Sequence, residues 1–554
     1  MTPNDLLIPN LQQAQKAVSA TAALESAAVL VPPGSAGQTN ISSEQPQSLS
    51  PGSNTWAEHG PLFFGLITAC VLLMWIASRR KQKFTTTAPS DAACSTPMTK
   101  SKEQEGRNKG DSLSGDRGGA KQVTSPAFIS FRNRYLLVYY LMYSADAIQG
   151  PYIYKLYQVY GFNLRDTANL FIMGFGSSML AGTVVGSLAD AWGRRANCLL
   201  YAVLYALSCV TKHFNNYNAL LVGRLLGGVA TSILFSGFES WVVAEHRANG
   251  FDRALLGDLF AKAIFGSSLF SIVAGVLANA MVEVGGIVAP FDASIFILVI
   301  ASVIMMSTWG ENYGGQKTDT LSPPTPPHQG DQSDGLLSVK VENANICSVG
   351  DHNFLGFRGA IAAMNKDKRI LLLGITCSLF EGVMFIFVFM WTPALEMCKG
   401  DTELHHGLVF AEFMICMMMG SQLFEMANDH HVEVHFLIFL LLATSVACMG
   451  LVAVYEVYQT RLMLFLLFEL CIGVYWPASS VLRSHIIPES CRATVMSLFR
   501  IPLNWIVLIS LIGVDRISQF QCFMTCAFIL VVSLLCQHQL SLLDKTVEKE
   551  THSF

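Results

Sequence analysis

The chain is poor in charge. Only 14% of its 554 residues are Asp, Glu, Lys or Arg, and 52% are apolar, whereas roughly 25% are charged in a soluble globular protein. The deficit is uneven. Long stretches almost without charge alternate with short polar loops, which excludes a string of soluble domains and fits repeated passage through a bilayer. The fourteen cysteines contain no CxxC pair and no Cys/His ligand spacing. Most, such as Cys198, Cys209, Cys416, Cys448 and Cys471, lie in apolar runs where Cys acts as a small hydrophobe. No metal, cofactor or disulfide framework is therefore expected. There is no nucleophile–base constellation or phosphate loop either, so neither an enzyme nor a nucleic-acid partner is expected. The first sixty residues hold no Arg, which argues against a transit peptide, and their length argues against a cleavable signal.

Thirteen apolar segments are present. The first, 61–77, is at the short limit for crossing about 30 Å of hydrocarbon. Twelve more follow at about 135–158, 167–190, 196–212, 217–243, 258–281, 289–309, 370–392, 404–427, 432–455, 462–485, 493–513 and 519–540. They divide the chain into a non-cytoplasmic tail (1–60), an extra transmembrane helix (61–77) and a basic cytoplasmic linker (78–133). A six-helix bundle (134–310), a Pro-rich cytoplasmic linker (311–368), a second six-helix bundle (369–541) and a cytoplasmic tail (542–554) follow. The 311–368 linker contains Ser322-Pro-Pro-Thr-Pro-Pro-His328 and reads as disordered. The orientation follows from Lys and Arg placement: with the N-terminal tail outside, only Lys16, Arg165, Lys212, Lys399, Arg461 and Arg516 lie on the outer side.

The loop after the second core helix reads Gly186-Ser-Leu-Ala-Asp190-Ala-Trp-Gly193-Arg194-Arg195. It resembles the signature loop of the major facilitator superfamily, and the six-plus-six arrangement resembles that layout too. The resemblance implies an all-α integral membrane fold of two six-helix bundles related by pseudo-two-fold symmetry, with the extra N-terminal helix outside it. Gly186, Asp190, Gly193, Arg194 and Arg195 are then a cytoplasmic gate. The matching loop of the second half, Gly420 to Asp429, has no arginines.

Ionisable groups inside spans cost at least about 2.5–3.5 kcal/mol each at mid-helix and mark pathways or charge pairs. Asp146, Gln149, Gly150 and Ile153 share one face of the first core helix, and Pro151 weakens that helix. Arg224 lies on a glycine-rich face of the fourth core helix, with Glu239 about 22 Å further along. Lys262, Glu381, Glu469, Arg500 and Asn504 lie in the fifth, seventh, tenth and eleventh helices. An ungapped repeat sets Leu-Val-Gly-Arg224-Leu-Leu-Gly-Gly228 against Leu-Leu-Phe-Glu469-Leu-Cys-Ile-Gly473. These positions predict a two-fold-related cavity. Arg224, Arg500, Lys262, Gln149 and Asn504 are the candidate ligand-binding residues. Asp146, Glu239, Glu381 and Glu469 are candidate proton carriers or charge-pair partners. The competing expectation is structural pairing, such as Arg500 with Glu469.

Several stretches are similar to the molybdate-anion transporters: Ser144 to Tyr157, Phe235 to Trp241, Trp309-Gly-Glu-Asn-Tyr313, Leu379 to Pro393 and Phe499-Arg500-Ile-Pro502. The resemblance runs from about 133 to 540. It implies high-affinity uptake of molybdate by a multi-pass protein of the plasma membrane, with the lipid bilayer and the anion as its partners. A tetrahedral dianion asks for planar forks such as Arg224 and Arg500, and the nearby carboxylates are the candidates for proton coupling. A carrier of an uncharged metabolite such as a sugar, or a non-transporting membrane sensor, is the alternative.

Overall fold

The computed structural model describes residues 55–86, 125–313 and 364–552, apart from a few positions near 183–191, at 401 and at 489–491. The tail before 55, most of the basic linker and most of the 311–368 linker lie outside the described residues, as do Gly186 and Asp190. The described chain is helical. The helices are α1 (Thr55–Thr86), α2 (Pro126–Gln149), α3 (Ile153–Val159), α4 (Leu164–Gly182), α5 (Arg194–Val210), α6 (Tyr217–Ala248), α7 (Arg253–Gly285) and α8 (Ala289–Thr308). The second half continues with α9 (Lys368–Lys399), α10 (His406–Asp429), α11 (Val434–Val454), α12 (Tyr458–Ile486), α13 (Arg492–Ile512) and α14 (Gln519–His552).

Local chemistry sets several helix starts. Ser125 accepts from Phe128 N ahead of Pro126, Asn216 accepts from the amides of Asn218 and Ala219, and Asp367 accepts from Arg369 N. Each satisfies amides that a helix N-terminus otherwise leaves unpaired. At Gly150-Pro151-Tyr152 the first core helix tightens into a 3-10 turn between α2 and α3, since Pro supplies no N–H to the α-helical ladder. The last helix runs beyond 541 to His552. Its end is fastened: Asp544 takes Arg369 at 2.7 Å and His435 at 3.0 Å, and Lys545 meets Glu433 at 3.1 Å.

Among the described residues, nine helices are long and apolar enough to cross a membrane: α1, α6 to α12 and α14. The other core helices fall short for local reasons. α2 carries Arg132 and Arg134 and ends at the Gly150 turn, α5 has 17 residues, and α13 is strongly apolar only over Leu498–Ile512. Phe296, Val299, Val303 and Met306 form an exposed apolar stripe on α8, as expected of a helix facing lipid.

The contacts repeat. In the first half α4 packs on α6, α5 on α6, α2 on α8 and α2 on α7; in the second, α10 packs on α12, α11 on α12, α9 on α14 and α9 on α13. Between the halves, α7 meets α10 as α13 meets α4. Each pair maps onto its counterpart under one pseudo-two-fold. The repeat reaches single residues. A Cβ on Gly228 would overlap Gly174 O and Ser177 Oγ on α4, and a Cβ on Gly473 would overlap Met417 O on α10. Both glycines of the sequence repeat are thus points of backbone-to-backbone approach.

Helix α1 stands outside the repeat and docks on α10. His59 and Glu412, both buried, meet at 3.1 Å, and Tyr458 Oη lies 3.4 Å from the other ring nitrogen of His59.

Candidate functional site

Arg224 enters the first half through close helix packing. With α6 seated on α4, its guanidinium lies along α4: Nε donates to Leu170 O at 3.2 Å, and Cζ stands 4.1 Å from the centre of the Phe171 ring. No carboxylate lies within ion-pair distance of it among the described residues. Gln149 is buried at the end of α2. Its Oε1 accepts from Cys209 Sγ at 3.7 Å, while its Nε2 has no partner among the described residues.

Next to Arg224 lies a cation that the sequence reading assigned to an outer loop. Lys212, in the 3-10 turn after α5, is fully buried, and its Nζ has no hydrogen-bond partner among the described residues. It stands 5.9 Å over the ring of Tyr157, and a methyl on Gly223 would come within 3.1 Å of it. The Tyr157 hydroxyl and Thr167 Oγ1 are also buried and without hydrogen-bond partners among the described residues. Tyr157 packs edge-on against Phe171, and Thr167 lies one turn from Phe171 on the same face of α4.

Arg500 belongs to a second cluster, where the halves meet. A methyl on Gly182 of α4 would sit 3.7 Å from Arg500 Nη1 and 3.8 Å from Ser232 Oγ. Glu381 is within electrostatic reach of Arg500, accepts from Tyr475 Oη at 2.8 Å and lies 3.6 Å from Arg483 Nη1. The ion pair of Glu381 is thus with Arg483, and the expected pairing of Arg500 with Glu469 is not formed among the described residues. Glu469 is buried and makes no ion pair among the described residues. Asn504, one turn along α13, is half-buried and makes no hydrogen bond among the described residues. The Gly174 and Gly182 contacts place Arg224 and Arg500 against α4 eight residues apart, about 12 Å of helix rise. One tetrahedral anion does not span that separation.

The remaining predicted residues are spread out. Asp146 accepts a hydrogen bond from Tyr205 Oη. Glu239 is exposed on α6, near Tyr139. Lys262 pairs with Asp258, which Arg132 also approaches at 3.8 Å. Glu239 and Lys262 are exposed, whereas Asp146 is half-buried, three residues before Gln149.

Gly193 has φ 110°, a backbone conformation suited to glycine. A Cβ there would come within 2.6 Å of the Glu311 carboxylate. Glu311 accepts from the amides of Arg195 and Ala196 and pairs with the Arg195 side chain at 3.5 Å. Arg195 also donates to Trp309 O, and Arg194 N donates to Asn312 O. The loop motif and the Trp309–Tyr313 segment are thus two sides of one junction. The sequence showed both but not their meeting.

At the opposite end the halves are fastened to each other. Lys155 Nζ donates to Glu396 at 2.9 Å, Gln158 Nε2 donates to it at 2.8 Å, and His406 stands 3.2 Å away. Arg165 reaches Asp515 at 4.0 Å, and the rings of Phe171 and Phe389 are 5.1 Å apart. Tyr152 Oη, 3.4 Å from Gly407 N, adds a further contact between the halves at this Lys155 end.

Two related six-helix halves in an apolar envelope, with charged residues at their junction, define a multi-pass membrane transporter of the major facilitator type. A family model described as sugar transporters with 12 TM segments matches residues 111–323 and 336–465. The chain is 33% identical over 429 residues to a molybdate-anion transporter of Xenopus tropicalis, covering 75% of this chain and 86% of that one. With a molybdate-anion transporter of Takifugu rubripes it shares 34% identity over 403 residues, covering 71% and 81%. A crystal structure of a D-xylose-proton symporter aligns with TM-score 0.55 at 11% identity, covering 74% of this chain and 97% of that one, which supports the fold alone. The chain belongs to the molybdate-anion transporter family of the major facilitator superfamily.

Proposed function

We propose that this protein takes up molybdate with high affinity across the plasma membrane by alternating access. The observation that carries the substrate is the likeness to relatives named molybdate-anion transporters, at 32–34% identity over roughly three quarters of the chain. Arg224 supports it chemically, since a guanidinium without a carboxylate partner is available to an oxyanion. Lys and Arg placement puts the Glu311 end in the cytoplasm. With the halves fastened at the Lys155 end, the described conformer then faces inward. Arg500 offers a first contact at the cytoplasmic mouth, and Arg224 a deeper one. Simultaneous contact with both belongs to a conformer in which the halves have moved.

Asp146 and Glu469 are the carboxyls we assign to proton coupling. Each is inside a span, and neither forms an ion pair among the described residues. Glu381, engaged with Arg483 and Tyr475, suits a charge-pair role.

Uptake of labelled molybdate into vesicles containing the purified chain tests the proposal, with sulfate, phosphate and glucose as competitors. Saturable uptake that glucose leaves unchanged is the expected result. The family model described as sugar transporters gives the rival reading. Displacement by glucose, or glucose uptake in place of molybdate, contradicts the oxyanion proposal.

A further inference from the structure

We propose that Lys212, Arg224, Tyr157 and Thr167 form an occluded pocket for a tetrahedral oxyanion within the first six-helix half. The inference rests on the anion-transport reading above and assigns its inner binding site. Its starting point is the coincidence of unsatisfied groups. Lys212 Nζ, Tyr157 Oη, Thr167 Oγ1 and Gln149 Nε2 are all buried and all without a hydrogen-bond partner among the described residues. Such atoms are uncommon singly, because each forfeits its bonds to water. Lys212 and Tyr157 stand beside the place where Arg224 lies against Phe171, and Thr167 is one turn from Phe171 on α4.

The charges have one sign. Lys212 and Arg224 are both basic, and Lys212 Nζ lies 3.1 Å from a methyl built on Gly223, the residue before Arg224. Among the described residues no carboxylate pairs with either cation. Two bases, two hydroxyls and an aromatic wall match a dianion with four acceptor oxygens. They do not match a neutral sugar, which would leave the fully buried Lys212 without a counterion.

A structural role for Lys212 has some support. It follows the C-terminus of α5, where the helix dipole favours a cation, and its Nζ stands over the Tyr157 ring. Neither contact supplies a hydrogen bond, however, and the ammonium carries three donors. Complete burial costs far more than a dipole and one distant ring return. The half-buried Arg224 beside the fully buried Lys212 marks the direction from which an anion would enter.

The two roles predict opposite behaviour for Lys212→Met. The full-length protein would be purified in detergent, and binding of molybdate, sulfate and phosphate measured separately by calorimetry. Thermal unfolding would be followed with and without each anion. If the pocket binds anions, Lys212→Met should unfold at or above the wild-type temperature without ligand. It should bind the anion at least about tenfold more weakly and lose the anion-induced rise in Tm. Tyr157→Phe and Thr167→Val, which remove only a hydroxyl, should each weaken binding by about tenfold.

Unchanged affinity in Lys212→Met overturns the pocket. If Lys212→Met is unstable or does not fold, the hydroxyl variants decide: weaker binding upholds the proposal, and unchanged affinity in both overturns it. If wild-type protein binds sulfate or phosphate through Lys212 but neither binds nor transports molybdate, the pocket stands and the molybdate reading falls. If vesicles take up molybdate and Lys212→Met binds it normally, the transport reading stands and the pocket falls. Wild-type protein that binds none of the three anions also overturns the pocket.

Discussion

Lys212 and Arg461 occupy corresponding corners of the two halves. Lys212 is in the turn between α5 and α6, and Arg461 is in the first turn of α12 after α11; these helix pairs are equivalent under the pseudo-two-fold. Both side chains are almost wholly buried. Arg461 spends its donors on protein: Tyr455 O at 3.1 Å, Ala394 O at 3.0 Å, Val452 O at 3.2 Å and Gln519 Oε1 at 3.3 Å. Its fork therefore ties α9, α11, α12 and the start of α14 together. Lys212 Nζ has no such bonds among the described residues. One corner holds a cation as a structural fastener, and the other holds a buried cation that makes no hydrogen bond among the described residues. The same asymmetry continues inward, where Arg224 in the first half stands opposite Glu469 in the second. The fold is symmetric in backbone and asymmetric in charge.

The largest effect should come from Arg461→Met. Losing several charge-assisted hydrogen bonds to buried carbonyls should cost about 3 kcal/mol or more, seen as a lower unfolding temperature and a poor folded yield. Lys212→Met should instead leave ligand-free stability unchanged or raised. Equal destabilisation by the two changes would erase the distinction between the corners.

The backbone symmetry is tested by Gly228→Val and Gly473→Val. Each forces a side chain into a helix crossing and should destabilise by about 1–3 kcal/mol. A cost at only one of the two, measured by thermal unfolding, would mean that the halves do not share this contact.

Gly193→Ala should be smaller in stability, about 1–2 kcal/mol from the left-handed backbone alone, with additional strain against Glu311. In transport it should slow turnover without changing the ranking of competing anions, because the Gly193–Glu311 junction lies at the far end of the first half from Lys155. A changed anion preference at normal turnover would argue against a switching role.

The smallest expected effects are those of Tyr205→Phe and Tyr475→Phe, which remove one hydrogen bond each from Asp146 and Glu381. About 1 kcal/mol is expected in each case. Their effects on the pH dependence of uptake should differ. Tyr205→Phe should move it if Asp146 carries a proton, whereas Tyr475→Phe should affect mainly stability, because Glu381 keeps Arg483.

Much of this architecture was legible in the sequence, because a membrane span writes itself as a long uncharged run. The Arg224–Glu469 repeat was legible too, since helices in matched halves share residue spacing and the Gly228 and Gly473 crossings demand small residues. The pairing of His59 with Glu412 was not, because 353 residues separate them and either alone resembles an ordinary end-of-span polar group. Lys212 and Arg461 were hidden for another reason. Basic residues beside span ends count as solvated loop charges when orientation is read, and nothing local reveals that a turn has folded inward. The separation of Arg224 from Arg500 along α4 was equally unreadable, because it depends on which neighbour each long side chain lies against.

The central claim is that unpartnered cations bind the transported oxyanion, and molybdate affinity in well-folded Arg224→Gln tests it most directly. Loss of a charge-assisted contact predicts an affinity about ten- to hundred-fold weaker, with thermal stability close to wild type because no carboxylate is left unpaired. Arg500→Gln, and the double variant that also neutralises Glu381, serve as the comparison. Near-normal molybdate affinity in Arg224→Gln would contradict the account.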